Sequence, residues 1–272
     1  MNKMAFRGVL LVSDIDGTLI TEDRVIPPRN IYAIERFIKK GGRFAFATGR
    51  SVLGTQRFAL QVPLNAPSIV YNGGGIYDFG TNKLLWSANL PGTYINIIKA
   101  VKKAFPDVGI EVYAGGSVYC LNKNEYTKEH VAIQGIDAVD KDAAEVLPDS
   151  NKVLFCGDSA RLSEVAALLE TIDHTGCVNV SSAPIYFEVL PEGVSKGATV
   201  KVLADMLGIT HDKIMGIGDY YNDLELIKTS AVGAAPEGAP DDIKHEADVV
   251  VGRCEDGAVA DFIEYLEERF AI

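Results

Sequence analysis

Cysteine is sparse in this chain. Its four copies, Cys120, Cys156, Cys177 and Cys254, lie far apart, and no C-x-x-C pair occurs. That spacing excludes a disulfide framework and a thiolate zinc site, and the four read as reduced thiols of a cytoplasmic protein. Histidine is equally scarce: His130, His174, His211 and His245 show no ligand-like grouping and read as surface or packing residues. Basic residues are outnumbered, 26 Lys and Arg against 37 Asp and Glu, for a formal net charge of -11. A chain this acidic offers no basic face, so neither nucleic acid nor an anionic membrane is expected as a partner. No apolar run approaches the roughly 20 residues of a membrane span. No small-residue cleavage site precedes the first acidic motif, so no secretory leader is expected. Internal repeats and low-complexity segments are absent.

What is present is enough for a sizeable core. The chain has 272 residues, 47% of them hydrophobic and 23% charged, which suits one or two soluble domains. Apolar runs alternate with helical patterns. Val9–Val12 reads as a buried strand. A helix starts at Pro27-Pro28 with Ile31, Ile34 and Ile38 on one face, and Gly41-Gly42 ends it. A strand over 43–47, a helix over 51–60 and a strand over 68–71 follow, closed by the turn Asn72–Gly75. Strand, helix, strand, helix, strand implies a parallel sheet.

From about Leu84 to Leu190 the rhythm changes. Short strands fall close together between helices near 94–105, 125–133 and 162–172, which reads as an antiparallel α+β module. Pro148–Asn151 reads as a loop inside it. The α/β rhythm then resumes. Ser195 can cap a helix carrying Val200, Leu203, Ala204 and Leu207. Strands at 213–217, 231–233 and 248–251 follow, and the last helix aligns Val259, Phe262, Ile263 and Leu266. The expected fold class is α/β: a parallel-sheet, Rossmann-like core domain over 1–81 and 190–272, with an inserted α+β domain over 82–189.

Chemistry concentrates at the strand ends. The first strand runs into Asp14-Ile15-Asp16-Gly17-Thr18, which puts two carboxylates at its tip, where open α/β sheets bind ligands. Two acids so close repel, so their proton affinities separate and they can take different roles. Thr48-Gly49-Arg50 follows the second strand, Lys196 opens a helix, and Gly218-Asp219 with Asn222 and Asp223 follows a later strand. Each piece alone has a plain alternative: a turn, a cap or a solvated side chain. Together they form a phosphoryl-transfer set. Asp14 can be a nucleophile, the Thr48 hydroxyl a donor to a phosphate oxygen, and Lys196 a point charge beside free helix N–H groups. Asp219 and Asp223 offer hard oxygens that favour magnesium over zinc.

This set resembles the haloacid-dehalogenase-like hydrolases, in particular Cof-type phosphatases with a large inserted (type II) cap. Asp14-x-Asp16-Gly17-Thr18, Thr48-Gly49-Arg50, Lys196 and Gly218-Asp219-x-x-Asn222-Asp223 match the family's four motifs, in order. Asn72-Gly73-Gly74 resembles a turn of the subgroup. Ser13 departs from the aromatic or apolar residue usual before the first acid. The resemblance implies that Asp14 attacks phosphorus and binds magnesium. Asp16 protonates the leaving oxygen, activates water and lends its backbone carbonyl to the metal, with Asp219 and Asp223 as further metal groups. Thr48, Lys196 and Asn222 hold phosphate, and Arg50 and Asn72 contact substrate. The implied function is a magnesium-dependent phosphomonoesterase of small phosphorylated metabolites such as sugar phosphates.

Two alternatives stay open. A phosphomutase or phosphotransferase would share every core motif. A phospho-acceptor signalling module is disfavoured, because Asp16 would hydrolyse the phospho-aspartate quickly and the insertion is too large. Substrate identity and oligomeric state are not readable. Tyr113, Tyr119, Tyr126 and Tyr186, the aromatics of the insertion that could line a pocket, read as packing.

Overall fold

A computed structural model describes residues 5–142 and 147–270. The first pass of the chain gives β1 (Leu10–Ser13), α1 (Pro28–Lys39), β2 (Arg43–Phe46), α2 (Val52–Ala59) and β3 (Ser68–Val70). A hairpin follows, β4 (Gly75–Asp78) and β5 (Lys83–Ser87). The middle comprises α3 (Tyr94–Ala104), β6 (Gly109–Ala114), β7 (Ser117–Asn122), α4 (Glu125–Gln134), β8 (Ala138–Asp140), β9 (Ser150–Cys156), α5 (Ser159–Leu169), β10 (Cys177–Ala183) and β11 (Tyr186–Pro191). The return adds α6 (Lys196–Leu207), β12 (Ile214–Ile217), α7 (Leu224–Thr229), β13 (Val232–Pro236), α8 (Asp241–Glu246), β14 (Val249–Val251) and α9 (Ala258–Arg269).

The five strands β14-β13-β12-β1-β2 form one parallel sheet. Every residue of the interior strand β1 is buried, as a parallel strand covered on both faces must be. Its alternation splits the core in two. Leu11, with Phe44, Phe46 and Ile217, packs under α1 and α9. Leu10 and Val12, with Ala45 and Ile214, pack under α6.

The six strands β10-β11-β9-β6-β7-β8 form a second sheet. Its pairings are antiparallel except β7 with β8. One face buries Ile110, Val112, Val153 and Phe155 against α3 and α5. The opposite face looks toward the parallel sheet and carries Tyr113, Leu154 and Cys156, which cluster with Val70 and Tyr71.

Three local expectations need correction. β3 does not continue the parallel sheet as a full strand. It meets the end of β2 through one bridge, Ala47 with Ile69, and otherwise pairs antiparallel with β4. Tyr71 and Asn72 both adopt left-handed backbone, φ 56° and 55°, and this reverses the chain into the hairpin. Pro148–Asn151 is not all loop, because Ser150 and Asn151 begin β9. Their polar groups are satisfied inside: Ser150 Oγ donates to the Leu147 carbonyl, and Asn151 Nδ2 to the carbonyls of Gly74 and Ala88. The buried face of α1 is Asn30, Ala33, Ile34 and Phe37, with Ile31 and Ile38 only flanking it. Asn30 belongs inside because Nδ2 donates to Leu19 O and Oδ1 accepts from Ala260 N, tying α1 to α9.

Candidate active site

Four chain segments converge at the C-terminal edge of the parallel sheet. β1 delivers Asp14, whose amide donates to Ile217 O of β12 at 2.9 Å. Gly17 then turns with φ 77°, and a Cβ there would lie 2.5 Å from Asp219 Oδ2. Only glycine admits that approach. Thr18 Oγ1 donates to Asp219 Oδ1 at 2.8 Å, joining the first segment to the last.

Lys196 is the first residue of α6, behind the Ser195 cap, and is wholly buried. α6 seats deeply because its neighbours are small. A Cβ on Gly73 would lie 2.4 Å from Ser195 O, and Thr199 Oγ1 donates to Gly73 O at 2.8 Å. So placed, Lys196 Nζ donates to Asp14 Oδ1 at 2.5 Å and Asp223 Oδ1 at 2.6 Å. Asp223 Oδ2 accepts from the amides of Asp219 and Tyr220, each at 3.2 Å. Asp14, Asp219 and Asp223 each offer an oxygen within 4.8 Å of the others.

The cluster holds more negative than positive charge. Burial, offset in part by Lys196 and reinforced by Asp223, Asp219 and Asp16, pushes the Asp14 carboxyl well above the ordinary range. Burial, then Asp223, raises Asp219 to about 7. The Lys196 ammonium is raised too: burial alone would lower it, but Asp14 and Asp223 outweigh burial. Three hard oxygens with uncompensated charge suit a hard divalent cation, which would return these carboxyls to the ionised form.

Asp16 stands beside this cluster with its side chain about half exposed, 54%. Arg50, itself buried, holds it in a two-point clamp: Nε to Oδ2 at 2.7 Å and Nη2 to Oδ1 at 2.6 Å. Thr48 is buried, and its Oγ1 accepts the Arg50 amide at 3.1 Å, which leaves the hydroxyl proton as a donor. Asn222 Nδ2 donates to Asn72 Oδ1 at 2.9 Å. The other halves of both amides, Asn72 Nδ2 and Asn222 Oδ1, are buried without a partner among the described residues. Buried polar atoms left this way point to a ligand.

A cavity of about 530 Å³ opens from Asp14, Asp16, Asp219 and Asn222 toward the second sheet. Thr48 and Lys196 do not line it, and Asn72 lines a neighbouring cavity of about 430 Å³ that it shares with Asn222. Of the four tyrosines, Tyr186 lines the first cavity, and Tyr113, Tyr119 and Tyr126 do not. Sequence reasoning passed over Lys152 and Glu188 and read His130 as a surface or packing residue; all three also line it. His130 is no ligand here: its Nδ1 pairs with Glu111 Oε2 at 2.8 Å. The missed signal was a charged residue inside an apolar strand, Lys152 before Val153–Cys156 and Glu188 before Val189–Leu190.

Comparison with known proteins follows the same lines. Residues 11–263 match the family model described as haloacid dehalogenase-like hydrolase. The HMP-PP phosphatase of Serratia proteamaculans is 26% identical, over 94% of either chain. A Bacillus subtilis enzyme, 5-amino-6-(5-phospho-D-ribitylamino)uracil phosphatase YcsE, is 26% identical over 91% of this chain and 92% of its own. A haloacid dehalogenase-like hydrolase structure from Bacteroides thetaiotaomicron superposes with a TM-score of 0.81 at 26% identity, covering 95% of this chain and 99% of that one.

Proposed function

The chain belongs to the haloacid dehalogenase-like hydrolase family, and from that premise we propose that it is a magnesium-dependent phosphomonoesterase of small phosphorylated metabolites. The observation that carries this reading is Asp14, buried at the tip of β1, 2.5 Å from Lys196 and sharing one pocket of charge with Asp219 and Asp223. The carboxylates of Asp14 and Asp219, the Asp16 carbonyl and Asp223 would hold magnesium, which would supply the positive charge that a phosphate dianion needs to enter.

In this proposal the Asp14 carboxylate attacks phosphorus. An Asp14–phosphoryl bond forms, the ester P–O bond breaks, and Asp16 gives its proton to the departing oxygen. Water then attacks phosphorus and passes a proton to Asp16. The Asp14–phosphoryl bond breaks and inorganic phosphate leaves. Thr48, Lys196 and Asn222 hold the phosphate oxygens. Arg50 holds Asp16 beside the site by both its oxygens and must release one of them when Asp16 takes up the proton it donates, and Asn72 offers its unpartnered amide to the substrate. The division at about residues 82 and 189, which makes the second sheet a cap over the cavity, belongs to the same proposal, as does a cytoplasmic location. Among the described residues no helix is long and apolar enough to cross a membrane. The test is phosphate release from a panel of phosphorylated metabolites, with and without EDTA. Full turnover in metal-free buffer, or none on any ester with magnesium, would overturn the reading.

A further inference from the structure

The face of the second sheet that looks toward the parallel sheet carries charge deep inside. Lys152 of β9 is only 1% exposed. Its register partner on β6 is Tyr113, whose ring centre lies 4.5 Å from the ammonium. Nζ donates to Glu188 Oε2 of β11 at 2.9 Å. The other Glu188 oxygen accepts from Ser182 at 2.6 Å. This pair alone would satisfy the charge. Nζ nevertheless makes a second bond, at 2.8 Å, to the carbonyl of Gly49.

Gly49 belongs to the other sheet's loop. It joins Thr48 to Arg50, and the Arg50 guanidinium clamps Asp16. Adjacent contacts run the same way. Arg24 and Arg57 both donate to the Ile133 carbonyl near the end of α4, at 3.0 and 3.1 Å. Gly54 leaves room for the Gln134 side chain, whose Oε1 would lie 1.9 Å from a Cβ there, so α4 sits close on α2. α2 begins two residues after Arg50. The inserted segment is thus fastened to the loop at its middle and to the helix that follows it.

We propose that Lys152 is a positioning residue for phosphoryl transfer: it holds the Gly49 carbonyl and so fixes the Thr48 hydroxyl and the Arg50–Asp16 clamp. The proposal rests on the phosphatase reading for its kinetic consequence, but its structural claim does not. Lys152→Met alone would strand the buried Glu188 charge. The decisive variant is therefore Lys152→Met with Glu188→Gln, which removes both charges and keeps an acceptor for Ser182. Glu188→Gln alone leaves the ammonium on Gly49.

Amide hydrogen exchange over residues 47–52 should quicken about tenfold in the double variant and stay at the wild-type rate in Glu188→Gln. With p-nitrophenyl phosphate, kcat of the double variant should fall about tenfold or more while its melting temperature stays near wild type, since small misplacement of positioned groups is costly. A folded double variant with wild-type exchange in this segment overturns the proposal. Equal quickening in both variants also overturns it, because the ion pair and not the carbonyl bond would then hold the loop. If the wild type hydrolyses no ester, the phosphatase reading fails, and the exchange comparison still decides the role of Lys152.

Discussion

Removing a metal-site acid should stabilise this protein when metal is absent. Asp219→Asn keeps the shape of the side chain and an acceptor for Thr18 Oγ1, now 2.8 Å away. It deletes one charge from a cluster of three carboxylates facing one ammonium. The folded chain holds the Asp219 proton up to about 7, against an ordinary value of 3.8. Between those values the folded state binds a proton that the unfolded state has lost, so wild-type stability falls as pH rises through that window. The ceiling on this penalty is on the order of 4 kcal/mol once the group is ionised. Partial exposure and relaxation bring the expected gain of Asp219→Asn to about 1–3 kcal/mol at about pH 8. The gain should vanish below about pH 4, where both chains carry a neutral group. Urea unfolding followed by circular dichroism in EDTA measures it. Excess magnesium should reverse the order, because only the wild type binds the ion tightly and is stabilised by it. An Asn variant no more stable than wild type in EDTA at about pH 8 would refute the charge argument.

Asp14→Asn should abolish turnover, and intact-mass spectrometry after acid quench should find no added phosphoryl group. Asp16→Ala should lose far more activity on an alkyl phosphate than on p-nitrophenyl phosphate, whose leaving group needs little protonation, and should accumulate the phospho-enzyme. Gly73→Ala, with φ 105° and a Cβ 2.4 Å from Ser195 O, should cost about 1–3 kcal/mol of stability and lower kcat by displacing Lys196; thermal unfolding and steady-state kinetics check both. Gly17→Ala, whose Cβ would press on Asp219 at 2.5 Å, should weaken magnesium binding in titration calorimetry.

Much of the site was legible because parallel-sheet chemistry sits at strand ends, and strand ends show in sequence. Asp14, Thr48 and Asp219 each follow an apolar run that forms a strand of the sheet, and Lys196 follows a Ser cap that the structure contains. What stayed hidden depends on contacts between distant segments. The sequence near Asp16 does not reveal that Arg50 clamps it, nor that Asn72 and Asn222 share one bond. β5 escaped notice because Leu84 and Leu85 are exposed, 52% and 41%, so its pattern lacks the alternation of a half-buried strand. Ser150 and Asn151 looked like loop because partners that hold them inside, Tyr94 for Ser150 and Gly74 and Ala88 for Asn151, lie on distant segments.

The order of the parallel sheet bears on how the protein is made. Leu10 pairs on one side with Arg43, soon after it in the chain, and on the other with Ile214. During synthesis the long flank of β1 therefore stays open until β12 has left the ribosome, while the whole intervening module has already emerged. Closing so distant a contact is slow, and an unpaired apolar strand is open to wrong partners meanwhile. The six-stranded unit, whose pairings all lie within one continuous stretch, is free to fold first. A nascent chain stalled before β12 would expose Leu11 and Val12 to chaperones, and the emergence of β12 and the elements after it would bury them in a single late step.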